Sequence, residues 1–272
     1  MCIIKARVKK SVLTQEDLKR NFKVNRKIGL KKEYVKVCRK KGEEVTFGGD
    51  QNLFAFSGAS KEDERKVKCG CGIIAFADLL LYLGGAESAF RVKENLSYVN
   101  RKLSEDDYRN YYNTIYTYMG GISGKVGISG LKIWRCFNRM ARREGWRLRA
   151  RWAFSGKKLN GRIEEMLQND IPVICCIPMM LLKKDKKDRL PLYLQVTADE
   201  QETAERSLWR VGASTCAHYV MITGIIQEQE EEFYEISTWG KKMYMSRNEY
   251  DAFIHNHFMG TILGNILYVY AR

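Results

Sequence analysis

The stretch C69-G-C-G-I-I-A-F-A-D-L-L-L-Y-L-G-G85 decides how this chain folds. From Ile73 to Leu83 it is almost wholly apolar, and a helix of that character has to be buried on most sides. Gly84 and Gly85 supply the stop that a helix end favours. At its other end Cys71 stands between Gly70 and Gly72, where the first turn of a helix exposes unbonded N–H groups and a positive end of the macrodipole. A thiol so placed is a candidate nucleophile, because helix N-termini and nearby cations stabilise thiolates. The competing reading is an inert core cysteine. Cys69, also followed by glycine, falls half a turn earlier, after the charged run DERKVK, and is the weaker choice.

Upstream, GGDQNLFAFSGASKEDERKVK (48–68) reads as a surface connection opened by a glycine turn. Residues 1–47 are dense in Lys and Arg, with a short helix expected over Thr14–Phe22, and are read as a basic arm or peripheral layer. Downstream, LSEDDYRNYYNTIYTY (103–118) predicts a helix started by Ser104. A second helix follows the glycine loop 120–130, with Leu131, Trp134, Phe137 and Met140 on one face. The loop fails the phosphate-binding P-loop pattern, since Met119 replaces its first glycine and Val126 its hydroxyl residue.

At Trp146 the period changes to two, with Arg147, Arg149 and Arg151 alternating against apolar residues as in a half-buried strand. This arginine stripe is read as a solvated face, with an acidic peptide or nucleic acid as the alternative occupant. Residues 158–169 predict a helix, IPVICCIPM from Ile171 a central strand, and about 180–213 an exposed excursion. Three strands are expected around 218–226, 233–238 and 242–245, then a helix at 247–254 and a final strand. Helices first and antiparallel strands later indicate an α+β fold.

The 272 residues, 45% of them hydrophobic with only 3 prolines, suffice for a sizeable core, and the net charge of +15 favours acidic partners. Eight cysteines without scaffold-like spacing fit a reduced, cytoplasmic setting, and no apolar run reaches membrane-spanning length. The cysteines also lack paired spacing for a metal site.

Of three histidines, His255 and His257 sit near the end of a polar helix. His218 opens HYVMITGII, a strand with Val220 and Ile222 alternating, and ISTWG (236–240) ends the next strand. A cysteine at a helix start among glycines, then His-x-Val-x-Ile-x-Gly, then Ser-Thr-Trp-Gly, resembles the papain-like cysteine peptidase superfamily, and the cysteine segment is most similar to its bacterial C39-like branch. The resemblance covers 48–85 and 171–254.

It implies a catalytic domain over 48–272, with the nucleophile helix packed on a mostly antiparallel sheet. It also implies a thiolate–imidazolium pair of Cys71 and His218 that attacks a peptide or amide carbonyl without a cofactor. Ser237 stands where papain has the asparagine that orients the imidazole, and Trp239 where a tryptophan shields that contact. The oxyanion donor is expected from Gln51, or from Asn52 if the turn points the other way. Transfer of the acyl group to an amine, or a silent module that binds an acidic partner, are the alternatives.

Overall fold

The computed structural model describes residues 24–39, 44–84, 102–122, 127–152, 158–178, 189–195, 209–228, 231–256 and 264–272. In chain order these form β1 (Val24–Gly29), β2 (Lys36–Cys38), β3 (Val45–Phe47), a 3-10 turn (Gln51–Phe54), α1 (Lys61–Cys69), α2 (Cys71–Gly84), β4 (Lys102–Ser104), α3 (Glu105–Tyr118), α4 (Gly130–Arg143), β5 (Leu148–Trp152), α5 (Leu159–Gln168), β6 (Val173–Ile177), β7 (Leu190–Gln195), β8 (Trp209–Thr215), β9 (His218–Glu228), β10 (Glu231–Thr238), β11 (Lys241–Ser246), α6 (Arg247–His255) and β12 (Leu267–Ala271). The architecture is α+β, and its principal sheet is antiparallel.

That sheet runs β1-β9-β10-β11-β7-β8, with β6 sharing one edge of β9 with β1. Strand β9 is long enough to hold both, pairing His218–Ile222 with β6 and Gly224–Glu228 with β1. Helix α2 packs on this sheet, and Ile73, Phe76, Ala77, Leu79 and Leu80 are wholly buried. Each large apolar side chain removed from water there contributes about 1.5–3 kcal/mol before entropy is counted. Two smaller sheets, β3-β2-β4 and β12-β5, close the flanks.

Helix α3 begins as its sequence suggests, with the Ser104 hydroxyl accepting from the Asp107 N–H. The N-terminal basic segment, expected as an arm or outer layer, is more deeply involved than an arm. Strand β1 is an integral edge of the main sheet, and Val35 and Val37 are fully buried, because this stretch alternates apolar with charged residues. The expected helix at Thr14–Phe22 lies outside the described residues.

The excursion assigned to about 180–213 also needs correction, since β7 and β8 extend the main sheet as a hairpin. Leu190 and Leu192 alternate into the core, while Trp209 stacks on Phe233 at 4.6 Å. The Lys- and Asp-rich run before Arg189 lies outside the described residues. Among the described residues no single helix is long and apolar enough to cross a membrane.

Candidate active site

Cys71 is the first residue of α2, at a junction where α1 and α2 bend by 74°. The bend is made by Gly70, whose carbonyl accepts from the N–H groups of Ile73 and Ile74 and so starts the new helix. A Cβ on Gly70 would lie 2.2 Å from the Lys66 carbonyl oxygen, and one on Gly72 would lie 2.7 Å from the Ile128 side chain. The two glycines therefore permit close packing around the junction. The glycine loop contributes to that packing, with Gly127 against the Cys69 carbonyl and Ile128 against Gly72.

The thiol of Cys71 is half-buried, and burial raises its pKa above the usual thiol value. Backbone N–H groups of Tyr219, Gly72 and Cys71 itself pull it back down, while the neighbouring Cys69 pushes it up. The Tyr219 contact is informative, because Tyr219 directly follows His218 on β9. It brings the start of α2 against the start of β9.

His218 is 6% exposed. Its Nε2 lies 2.7 Å from the Thr238 Oγ1, and its ring stacks on Trp239 at 4.6 Å with 17° between planes. Burial lowers its pKa from 6.5 to about 4, so the imidazole is neutral at rest. Burial opposes charge on each of the two groups that the sequence pairs, the Cys71 thiol and the His218 imidazole.

The orienting residue differs from expectation by one position. Ser237 lines the same cleft, but its hydroxyl donates to the Phe47 carbonyl at 2.7 Å, and the group on the imidazole is Thr238. Ser237 is committed to the Phe47 carbonyl of β3, so Thr238 is the hydroxyl that meets His218. The ring of Trp239 is held over the imidazole by an unusual turn. Trp239 and Gly240 have φ of 49° and 68° and join β10 to β11 through a two-residue connection of the left-handed kind that suits hairpins.

Gln51 lines the cleft with Cys71, whereas Asn52 lines another cavity, of about 400 Å³, that Trp239 also borders. The Gln51 amide donates one N–H to the Val67 carbonyl at the end of α1. The same NH2 group has a second donor hydrogen.

Asp78, which the sequence reading passed over, is the fixed point behind these groups. It lies two turns after Cys71 on α2 and is 1% exposed. It accepts from the Tyr108 hydroxyl at 2.6 Å, the Gly49 N–H at 3.0 Å and the Tyr34 hydroxyl at 3.1 Å. Burial raises its pKa to about 6 against these three donors. Its contact with Gly49 fastens the turn that carries Gln51. The signal was present, as a single acidic residue inside an otherwise apolar helix, which is rarely buried without a task.

Together, Gln51, Cys71, Asp78, His218, Ser237, Thr238 and Trp239 border one narrow cleft of about 20 Å³, roughly the room for one water molecule. Among the described residues no group of three or more His, Cys, Asp or Glu is arranged to hold a metal ion. Searches of family models, curated proteins and solved structures return no match for this chain.

Proposed function

We propose that the protein is a papain-like cysteine hydrolase that cleaves a peptide or amide by acyl transfer through Cys71. The observation that carries this reading is the convergence, in one cleft, of a helix-start thiol and a buried histidine backed by a hydroxyl and a tryptophan. In this mechanism Thr238 Oγ1 accepts the Nε2–H of His218, which leaves the Nδ1 lone pair free to act as a base. Nδ1 takes the Cys71 proton as Sγ attacks the carbonyl carbon, so no charged pair has to exist beforehand.

The carbonyl oxygen becomes an oxyanion that the Cys71 backbone N–H and the Gln51 amide stabilise. Collapse breaks the C–N bond, and His218 returns its proton to the departing amine. Water, deprotonated by the same imidazole, then releases the acid and regenerates the thiol. An amine in place of water would make the protein an acyltransferase, and the masses of products formed with and without added amine separate the two outcomes.

The test uses a peptide carrying a thiol-reactive electrophile, with the labelled residue located by mass spectrometry. Labelling should fall on Cys71, persist in Cys69→Ala and be slowed strongly by His218→Ala. Labelling of Cys69 in preference, or indifference to His218→Ala, overturns the assignment.

A further inference from the structure

Apart from the cysteine cleft, the described residues line an open, arginine-rich cavity of about 550 Å³ between α4 and the β5/β12 sheet. Arg135, Arg139 and Arg142 recur at helical spacing along one face of α4, and Arg149 and Arg151 share one face of β5. None of these five makes an ion pair among the described residues, although the adjacent Arg143 is satisfied by Glu144 at 2.8 Å. Arg149 goes further, since its Nη1 is buried with no hydrogen-bond partner. A buried, unpaired guanidinium nitrogen is costly and asks for a missing acceptor.

The cavity is also built rigidly. Asn138 of α4 accepts from the Ala150 N–H at 2.9 Å and donates to the Ala150 carbonyl at 2.8 Å, and the Trp134 indole N–H donates to that carbonyl at 2.7 Å. These bonds tie α4 to the free edge of β5 and fix the spacing between the two arginine rows. Tyr270 stands opposite Arg149 in the β5/β12 register and lies under the Arg151 guanidinium at 5.6 Å. Aromatic faces therefore border the cavity beside the cations.

We infer that this cavity binds a compact ligand with clustered phosphates and a planar ring, a nucleoside polyphosphate. The volume falls within the usual range for small-molecule sites, about 300–1,000 Å³. Guanidinium forks match phosphate oxygens two at a time, and five positive charges suit a group carrying three or four negative ones. Trp134 borders the same space and supplies the aromatic surface for a base, while Tyr270, stacked on Tyr268 at 5.3 Å, holds the Arg151 guanidinium. The inference does not depend on the chemistry assigned to Cys71.

Calorimetric titration of the full chain tests it with ATP, tripolyphosphate, adenosine and a twenty-nucleotide oligo-dT as probes. ATP should bind more tightly than tripolyphosphate, and adenosine not measurably. Arg139→Ala with Arg151→Ala, both exposed positions, should weaken ATP by about tenfold or more. Lys61→Ala with Lys102→Ala removes the same charge elsewhere and should leave ATP binding unchanged. Absence of ATP binding, equal weakening in the lysine control, or binding of oligo-dT with ATP inert would each overturn the proposal.

Discussion

Removing the Thr238 hydroxyl while keeping its shape separates the observed site from the one expected one residue earlier. Thr238→Val preserves the β-branched outline but leaves the Nε2–H of the proposed His218 tautomer, in a ring only 6% exposed, without its partner at 2.7 Å. An unsatisfied buried donor costs about 1–3 kcal/mol. If the imidazole is the base for Cys71, that cost appears in the reactivity of the thiol as a loss of about 5- to 150-fold. Alkylation of Cys71 by neutral iodoacetamide at pH 8, followed by mass spectrometry, reads this loss without knowledge of the substrate. Thr238→Ser should stay close to the starting rate. Ser237→Ala, which frees only the Phe47 carbonyl, should cost about 0.5–1.5 kcal/mol of stability and slow alkylation less than threefold. The reasoning fails if Ser237→Ala slows alkylation as much as Thr238→Val, or if Thr238→Val leaves the rate unchanged.

Two buried groups should pull stability in opposite directions on acidification. His218, lowered to about 4, contributes about 3 kcal/mol that is present above pH 6.5 and lost as pH falls toward 4, because the unfolded chain binds the proton first. Asp78, raised from 3.8 to about 6, contributes a similar amount that is present below 3.8 and lost as pH rises through 6. Urea midpoints between pH 7 and 4.5 should therefore improve on acidification in His218→Gln relative to the parent and worsen in Asp78→Asn; parallel curves would refute both assignments. Trp239→Asn should relieve the left-handed backbone while uncovering the imidazole, so NMR titration should find the His218 pKa raised from about 4. An unchanged pKa would show that Trp239 does not shield it.

The buried helix was legible because eleven successive positions leave no polar face, and the His218 strand because Val220 and Ile222 recur at period two. The junction at Cys71 followed from the same reading, since an apolar helix must begin somewhere and the glycines mark where. Three things were hidden for distinct physical reasons. The choice between Ser237 and Thr238 depends on which face of β10 meets β9, and one position of alignment reverses it. Asp78 looks out of place until Tyr34, Tyr108 and Gly49, far apart in sequence, are seen to donate to it. The β7/β8 hairpin was masked by the charged residues around it, although Leu190 and Leu192 alternate as an inward-facing strand should.

Backbone strain recurs beside the imidazole. Of the described non-glycine residues, three have positive φ, Asp170, Ala217 and Trp239, and the last two lie beside His218. Ala217 immediately precedes His218 and is held by its N–H bond to the Pro178 carbonyl, while Trp239 is held between paired strands. Such conformations cost about 1–3 kcal/mol each and persist only where the surroundings over-determine them. A neutral buried histidine and a buried carboxyl beside the same cleft add desolvation to that strain. Packing alone could be satisfied by glycine at 217 and by the asparagine usual in such a turn at 239. An asparagine at 239 would not put an indole on one face of the ring while Thr238 holds Nε2, and under the proposed mechanism that placement leaves Nδ1 as the ring nitrogen available to a thiol proton.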